Sequence, residues 1–231
     1  MRESPVSAAA ADHRPHDLLW VGEASDLMPV DALPAWATNA WISVAPVVVR
    51  RAPLDGGRVP VGLRGAARNE RCAAYVANDR ITRKVTPQDI ARGVASDSRI
   101  GKSMLPCLRA LARLAAALDE SSLAWGVTGG VGFTLASGFD VLRADSDLDL
   151  IVHAPDRAGA DALRSLGMAS CDAESRVDIQ VETGRGAFAL NEWLRTGGPV
   201  LLKTARGPVL RDDPWHAEGQ AMTSAGHSAI A

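Results

Sequence analysis

The sequence predicts an α+β protein, with a small N-terminal α/β unit followed by a unit built on a short mixed sheet flanked by helices. Three observations carry that expectation. Strand-like runs separated by turn residues crowd residues 47–76, led by the β-branched Val47–Arg51 and followed by Arg58–Leu63 and Arg71–Val76. Leu105, Leu108, Leu111, Ala112, Ala115 and Leu118 recur at helical spacing, with Arg109 and Arg113 on another face. From Leu123 to Glu182 the patterns then alternate as β–turn–α–β–α–β, which implies a layered domain around a small sheet.

Each element has its own cue. His16–Val21 and Leu33–Trp41 are apolar enough to predict helices, with Pro34 tolerable in a first turn. Val47–Arg51 predicts a strand, Asp55-Gly56-Gly57 a turn, Arg58–Leu63 the returning strand and Arg71–Val76 a third strand. Thr86 reads as an N-cap with Pro87 in the first helical position. Leu123–Val127 predicts a strand, Thr128–Gly132 a glycine-rich turn, and Val131–Ala136 a helix ended by Gly138. Leu148–Val152 predicts a strand, and Pro155–Leu166 a helix stopped by Gly167. Val177–Glu182 predicts a strand, Ala187–Arg195 a helix, and Val200–Leu210 a hairpin across Arg206-Gly207. The expected units are 13–98 and 101–216, with 1–12 and 217–231 as flexible tails.

Composition excludes several functions. A formal net charge of -2 gives no global attraction to nucleic acid or anionic membranes, so neither is expected as a partner. No run approaches the roughly 18 apolar residues of a spanning helix. Cys72, Cys107 and Cys171 show neither zinc spacing nor a disulfide framework, so a reducing cytoplasm is the expected location. The basic residues are nearly all arginine, the lysines being Lys84, Lys102 and Lys203. Arginine suits bidentate phosphate recognition, although genomic base composition also accounts for the bias.

The chemistry is concentrated in Asp145-Ser146-Asp147-Leu148-Asp149-Leu150-Ile151-Val152. Alternation along a strand puts Asp147 and Asp149 on one face and points Leu148 and Leu150 into the core. Two carboxylates at i and i+2 form a pincer for a hard divalent cation. The competing reading is an edge strand with solvated aspartates, but aspartate has poor strand propensity. Gly126-Val127-Thr128-Gly129-Gly130-Val131-Gly132-Phe133 follows a strand and opens a helix. Gly129, Gly130 and Val131 are therefore the candidate phosphate cradle, because helix-start N–H groups hold anions. In Val177–Glu182 polar and apolar residues alternate. If this strand lies beside Leu148–Val152, Asp178 joins Asp147 and Asp149 as a further metal ligand or a proton acceptor. Alone, Asp178 reads as part of a half-exposed strand, and Gln180 and Glu182 keep that reading. His16 and Asp17 read as a cap and a surface residue, and His153 as structural. Arg64, Arg68 and Arg71, next to Gly62 and Gly65, could bind a phosphate-bearing donor, dock an acidic protein or form a solvated face.

A helix-opening Gly-Gly, a D-x-D strand and a later strand with one more Asp resemble the DNA polymerase β-type nucleotidyltransferases. Gly130 stands where many members carry Ser, and the stretch from Gly130 to Asp147 is somewhat long. A narrower resemblance covers nearly the whole chain. His16–Trp20, Val48–Arg51, Val61–Gly65 with Arg68 and Arg71, Gly126–Phe133, Ser146–Leu150 and Val177–Trp193 together resemble the malonate decarboxylase holo-acyl-carrier-protein synthases, or phosphoribosyl-dephospho-CoA transferases. That resemblance implies a magnesium- or manganese-dependent transfer from 2'-(5''-triphosphoribosyl)-3'-dephospho-CoA. The acceptor would be a serine of the apo acyl carrier (delta) subunit of malonate decarboxylase, with pyrophosphate released. It implies Asp147, Asp149 and Asp178 as catalytic and metal-binding residues. The residues by themselves also admit an adenylyltransferase using an ordinary nucleoside triphosphate, or a non-catalytic nucleotide-binding module.

Overall fold

The computed structural model describes residues 13–67 and 69–216. Arg68 and both stretches read as tails lie outside the described residues. The described chain forms an α+β fold on two six-stranded sheets.

The N-terminal sheet consists of β1 (Leu18–Val21), β2 (Leu27–Pro29), β3 (Val47–Val49), β4 (Val59–Arg64), β5 (Arg71–Val76) and β6 (Ile81–Val85). Their order is β2-β5-β4-β3-β1-β6, with every pair antiparallel. Asp55–Arg58 turns between β3 and β4, with Gly56 and Gly57 at φ of 54° and 80°, the left-handed region glycine tolerates. One short helix, α1 (Asn39–Ile42), packs on this sheet after the N-cap Thr38.

Two expected helices are corrected here. His16–Val21 is mostly strand β1, because this uniformly apolar run is buried on both faces. Leu19 and Val21 enter the core of the N-terminal sheet, whereas Leu18 and Trp20 enter the larger core shared with the C-terminal unit. A strand covered on both sides loses the alternation that identifies strands. Leu33–Trp41 is irregular until α1, whose single turn begins only at the capping hydroxyl of Thr38.

Helices α2 (Pro87–Gly93), α3 (Ser98–Gly101) and α4 (Pro106–Glu120) lead into the second sheet. α2 starts with the expected Thr86 cap, reinforced by Asp89 as a capping box. Next come β7 (Ala124–Val127), α5 (Gly129–Ser137), β8 (Leu148–His153), α6 (Ala160–Cys171), β9 (Val177–Glu182), β10 (Ala187–Ala189), α7 (Leu190–Thr196), β11 (Val200–Thr204) and β12 (Gly207–Arg211). The sheet order is β12-β11-β10-β9-β8-β7, and β8–β9, joined through α6, is the parallel pair. Gly167 does not stop α6, which continues to Cys171. Its missing side chain instead leaves room for Leu194 of α7. The helix expected over Ala187–Arg195 begins only at Leu190, because Ala187–Ala189 pairs with β9 as a strand.

Leu148, Leu150, Val152, Ile179 and Val181 fill one side of the second sheet with Leu111, Leu114 and Leu163 from the helices. Asp149, His153, Asp178, Gln180 and Glu182 alternate with those residues and occupy the other side, where the N-terminal sheet approaches. The two units thus meet across a surface that is polar at these positions and apolar around Leu18 and Trp20, and a cavity opens between them.

Candidate active site

β8 and β9 run parallel in the register that sets Asp149 opposite Asp178. The condition for bringing Asp178 to Asp147 and Asp149 is therefore met. Leu148 and Leu150 are buried as expected, and Asp147 precedes the strand at the rim of a recess of about 110 Å³. Burial pushes the Asp149 carboxyl above its ordinary range, and the nearby Asp178 and Asp147 add to the shift. Arg176 and Arg64 oppose it.

The glycine turn holds this carboxylate in place. The Thr128 N–H donates to the Asp149 carbonyl at 2.9 Å, fixing the start of α5 beside β8. Gly129 has φ of 61°, and a side chain there would collide with the Asp149 carboxylate. Gly132 packs so closely that an added Cβ would lie 2.7 Å from the Val127 carbonyl oxygen. Gly129, Gly130 and Val131 thus form the first turn of a helix whose N–H groups open beside the carboxylates, an arrangement suited to phosphate.

Opposite them stands the N-terminal sheet. Arg64 and Arg71 face each other across β4 and β5, and both line the recess together with Asp147 and Asp149. The Arg64 guanidinium lies 5.5 Å from the Phe133 ring centroid. Its carbonyl accepts from the Trp41 indole at 2.7 Å. Arg64 and Arg71 therefore line the recess beside the carboxylates. Arg68 lies outside the described residues.

A larger cavity of about 750 Å³ continues from Gly129 and Asp149 to His16, Arg50 and Arg51, across Leu18, Val48 and Gly62. Several groups here escaped the sequence reading. Asp17, read as a surface residue, is buried, and His16, read as a cap, has its ring held by Gln180 at 2.9 Å. The same amide nitrogen donates to Glu182 at 2.9 Å, and the amide oxygen accepts from Lys203 at 3.2 Å. Glu182 is ion-paired with Arg51 from the facing sheet. The Gln180 NH₂ faces His16 Nε2, a contact that suits a neutral ring with its proton on Nδ1. Burial lowers the His16 pKa, Arg51 and Lys203 add to this, and Glu182 opposes. His153 makes a further cross-unit contact, to Gln88 at 2.8 Å. Only the alternation of β9 hinted that Gln180 and Glu182 share the Asp178 face. The φ of 77° that turns His16 inward has no sequence signature.

The carboxylates are suited to a cation. Among the described residues, the side chains of Asp147 and Asp149 take no hydrogen bond or ion pair from the protein, and their crowding raises Asp149. Oxygen donors of this kind fit a hard divalent ion. Asp178 is drawn to Arg176, which lies 2.9 Å away. Among the described residues no three metal-ligating side chains close on one point.

Comparison with known proteins gives a consistent answer. Residues 14–87 match the phosphoribosyl-dephospho-CoA transferase MdcG N-terminal domain, and residues 94–214 match the phosphoribosyl-dephospho-CoA transferase MdcG C-terminal domain. A phosphoribosyl-dephospho-CoA transferase of Pseudomonas putida (strain GB-1) is 46% identical over 213 residues, covering 90% of this chain and 98% of that protein. One from Klebsiella pneumoniae (strain 342) is 43% identical, covering 89% and 97%. One from Pseudomonas syringae pv. tomato is 42% identical, covering 87% and 93%. No solved structure matches the chain.

Proposed function

The chain belongs to the phosphoribosyl-dephospho-CoA transferase family, and from that premise we propose how its cavity performs the transfer and onto what. The donor is 2'-(5''-triphosphoribosyl)-3'-dephospho-CoA, and the acceptor is a serine of the apo acyl carrier subunit of malonate decarboxylase. The serine oxygen bonds to the α-phosphorus as the bond to the bridging oxygen of the β-phosphate breaks. Pyrophosphate leaves with that electron pair, and the hydroxyl proton passes to a carboxylate. The observation that carries this reading is the facing of Asp147, Asp149 and the α5 N-terminus by Arg64 and Arg71 across one recess. A polyphosphate is thereby enclosed by a glycine cradle on one side and guanidinium forks on the other.

Asp147 and Asp149 would hold magnesium or manganese, which when bound offsets the charge on the triphosphate and the departing pyrophosphate. Asp178, beside Asp149 and steadied by Arg176, is placed to accept the serine proton. For it to act as a shared metal ligand, its carboxylate must first leave Arg176. The order of glycine-opened helix, D-x-D strand and flanking aspartate supports placing the C-terminal unit with the DNA polymerase β-type nucleotidyltransferases. It also supports treating 13–98 and 101–216 as a substrate-binding unit and a catalytic unit. Among the described residues no helix is long and apolar enough to cross a membrane, and we place the reaction in the cytoplasm with its carrier.

Intact-mass analysis tests this directly. The apo carrier, incubated with enzyme, donor and magnesium, should gain the mass of the phosphoribosyl-dephospho-CoA group, with one pyrophosphate released per carrier. Chelator should stop both, and ATP, CTP or UTP should label the carrier only marginally. Labelling by ATP at a rate equal to the donor would favour the adenylyltransferase reading instead.

A further inference from the structure

We propose that the far end of the large cavity, formed by Arg50 and His16, is a second anion subsite that holds the diphosphate of the donor's CoA portion. This rests on the donor reading above and adds the residues that separate this donor from an ordinary nucleoside triphosphate.

The cavity has two cationic ends and a neutral middle. One end is Arg64 and Arg71, facing the carboxylates. Between the ends lie Leu18, Val48 and Gly62. The other end lies where β1 begins and β3 finishes. His16 N–H donates to the Val49 carbonyl at 2.9 Å, which puts His16 alongside Arg50. Arg50 N–H in turn donates to the Pro60 carbonyl at 2.8 Å. Pro60 and Arg64 are four residues apart on β4, so the two arginine positions are separated by about 13 Å of strand. A donor with a triphosphate on one ribose and a diphosphate on another presents its charges in the same two-ended way.

Arg50 and Arg51 do different work. Arg51 is neutralised by Glu182 and joins the two sheets. Arg50 is exposed to the cavity, and among the described residues its side chain has no ion pair or hydrogen bond. Its stem lies across Gly62, where an added Cβ would be 3.5 Å from both Cγ and Cδ. Glycine there lets the guanidinium lie along the cavity floor.

His16 supplies the partner donor. Its left-handed backbone turns the ring into the cavity wall, and Gln180, oriented by Lys203 and Glu182, occupies Nε2. With Nε2 engaged by Gln180, Nδ1 is the ring nitrogen left to serve a ligand acceptor. A guanidinium and an imidazole N–H side by side form a site for phosphate oxygens that costs little to organise on binding.

Calorimetric titration of the full-length enzyme with three probes tests the assignment. Dephospho-CoA carries the diphosphate without the triphosphate, adenosine carries neither, and inorganic tripolyphosphate reports the opposite end. Dephospho-CoA should bind the unmodified enzyme more tightly than adenosine. Arg50→Gln should weaken dephospho-CoA roughly tenfold or more, as expected for loss of charge-assisted hydrogen bonds, and leave tripolyphosphate unchanged. Arg50→Lys should fall between, and His16→Asn, which tolerates the backbone, should show a smaller loss. Circular dichroism melts establish that each variant is folded. Unchanged dephospho-CoA affinity in Arg50→Gln, or equal loss for tripolyphosphate, overturns the subsite. Transfer to the carrier by the unmodified enzyme is measured alongside. Transfer without an Arg50 effect sinks the subsite alone, whereas the expected binding pattern without transfer sinks the function alone.

Discussion

The two sheets contribute opposite charge to one cavity. The N-terminal sheet is antiparallel throughout and presents Arg50, Arg64 and Arg71. The C-terminal sheet contains a parallel pair, β8–β9, and presents Asp149 and Asp178 in register. Each sheet buries one face in an apolar core, and beside the apolar contact of Leu18 and Trp20 the charged side chains are left to the cleft between the sheets. The difference teaches a division of labour. The carboxylates, proposed to hold a cation, sit on a parallel pair beside a helix N-terminus, where the backbone fixes them. The arginines, proposed to follow an extended anionic ligand, are spread along the strands and their ends, where alternate positions repeat at strand spacing.

The largest effect should come from breaking the carboxylate side. Asp147→Asn and Asp149→Asn should each abolish measurable pyrophosphate release, because the negative charge that holds the cation is gone. Neither side chain enters the core, so melting temperature should hold. For Asp149→Asn it should rise, since a crowded, partly buried carboxylate is removed. Arg64→Gln and Arg71→Gln should act mainly on KM for the donor. Near-normal turnover in either aspartate variant would move the chemistry away from this sheet.

The same contrast explains what the sequence revealed. The carboxylate side was legible because its signals are local. Gly129-Gly130, Asp147, Asp149 and Asp178 lie in short strings whose periodicity fixes their faces, and β9 appears with the expected bounds. The conditional step was the pairing of β8 with β9, which no local pattern states. The arginine side was legible only as a cluster. That Arg64 and Arg71 face the carboxylates depends on how one sheet docks on the other. β1 was misread because a strand shared by two cores has no polar face. His16 and Gln180 were assigned ordinary roles because their partners are 164 residues apart in sequence.

An intermediate effect should separate backbone strain from site geometry. Gly129 and Gly138 both sit at positive φ, 61° and 79°. An alanine at either should cost about 1–2 kcal/mol of stability for the left-handed backbone. At Gly138 the new Cβ meets nothing within 4 Å, whereas at Gly129 it strikes the Asp149 carboxylate. Gly129→Ala should therefore lose most of its kcat at a temperature where it is fully folded, and Gly138→Ala should keep it. Equal kcat in the two folded variants would show that the carboxylate can move aside, and that the glycine turn does not set its position.

The smallest effect concerns the seam between the sheets and is read in the pH dependence of stability. Burial lowers the pKa of His16, and also of His153. The unfolded chain takes up protons at the ordinary histidine value, while the folded chain resists until lower pH. More protons are then bound in the unfolded state, so stability falls as pH drops through the interval between the ordinary and the lowered values. Above that interval the contribution of the neutral rings is fully present. Asp17 and Asp149 shift upward and act in the opposite sense, but in the more acidic window that starts at the ordinary carboxylate range. His16→Asn should flatten the decline of melting temperature near and below the ordinary histidine value, and His153→Asn should flatten it independently. The two changes should add, because His16 is tied to Gln180 and His153 to Gln88. Melting curves across that range check this, and an unchanged slope in His16→Asn would mean that the Gln180 contact does not hold the ring neutral. Protonating His16 also removes the acceptor that Gln180 needs, so the seam should loosen on its His16 side first. Amide exchange in β1 should then accelerate before exchange in β8, where Gln88 holds His153 from the other end of the interface.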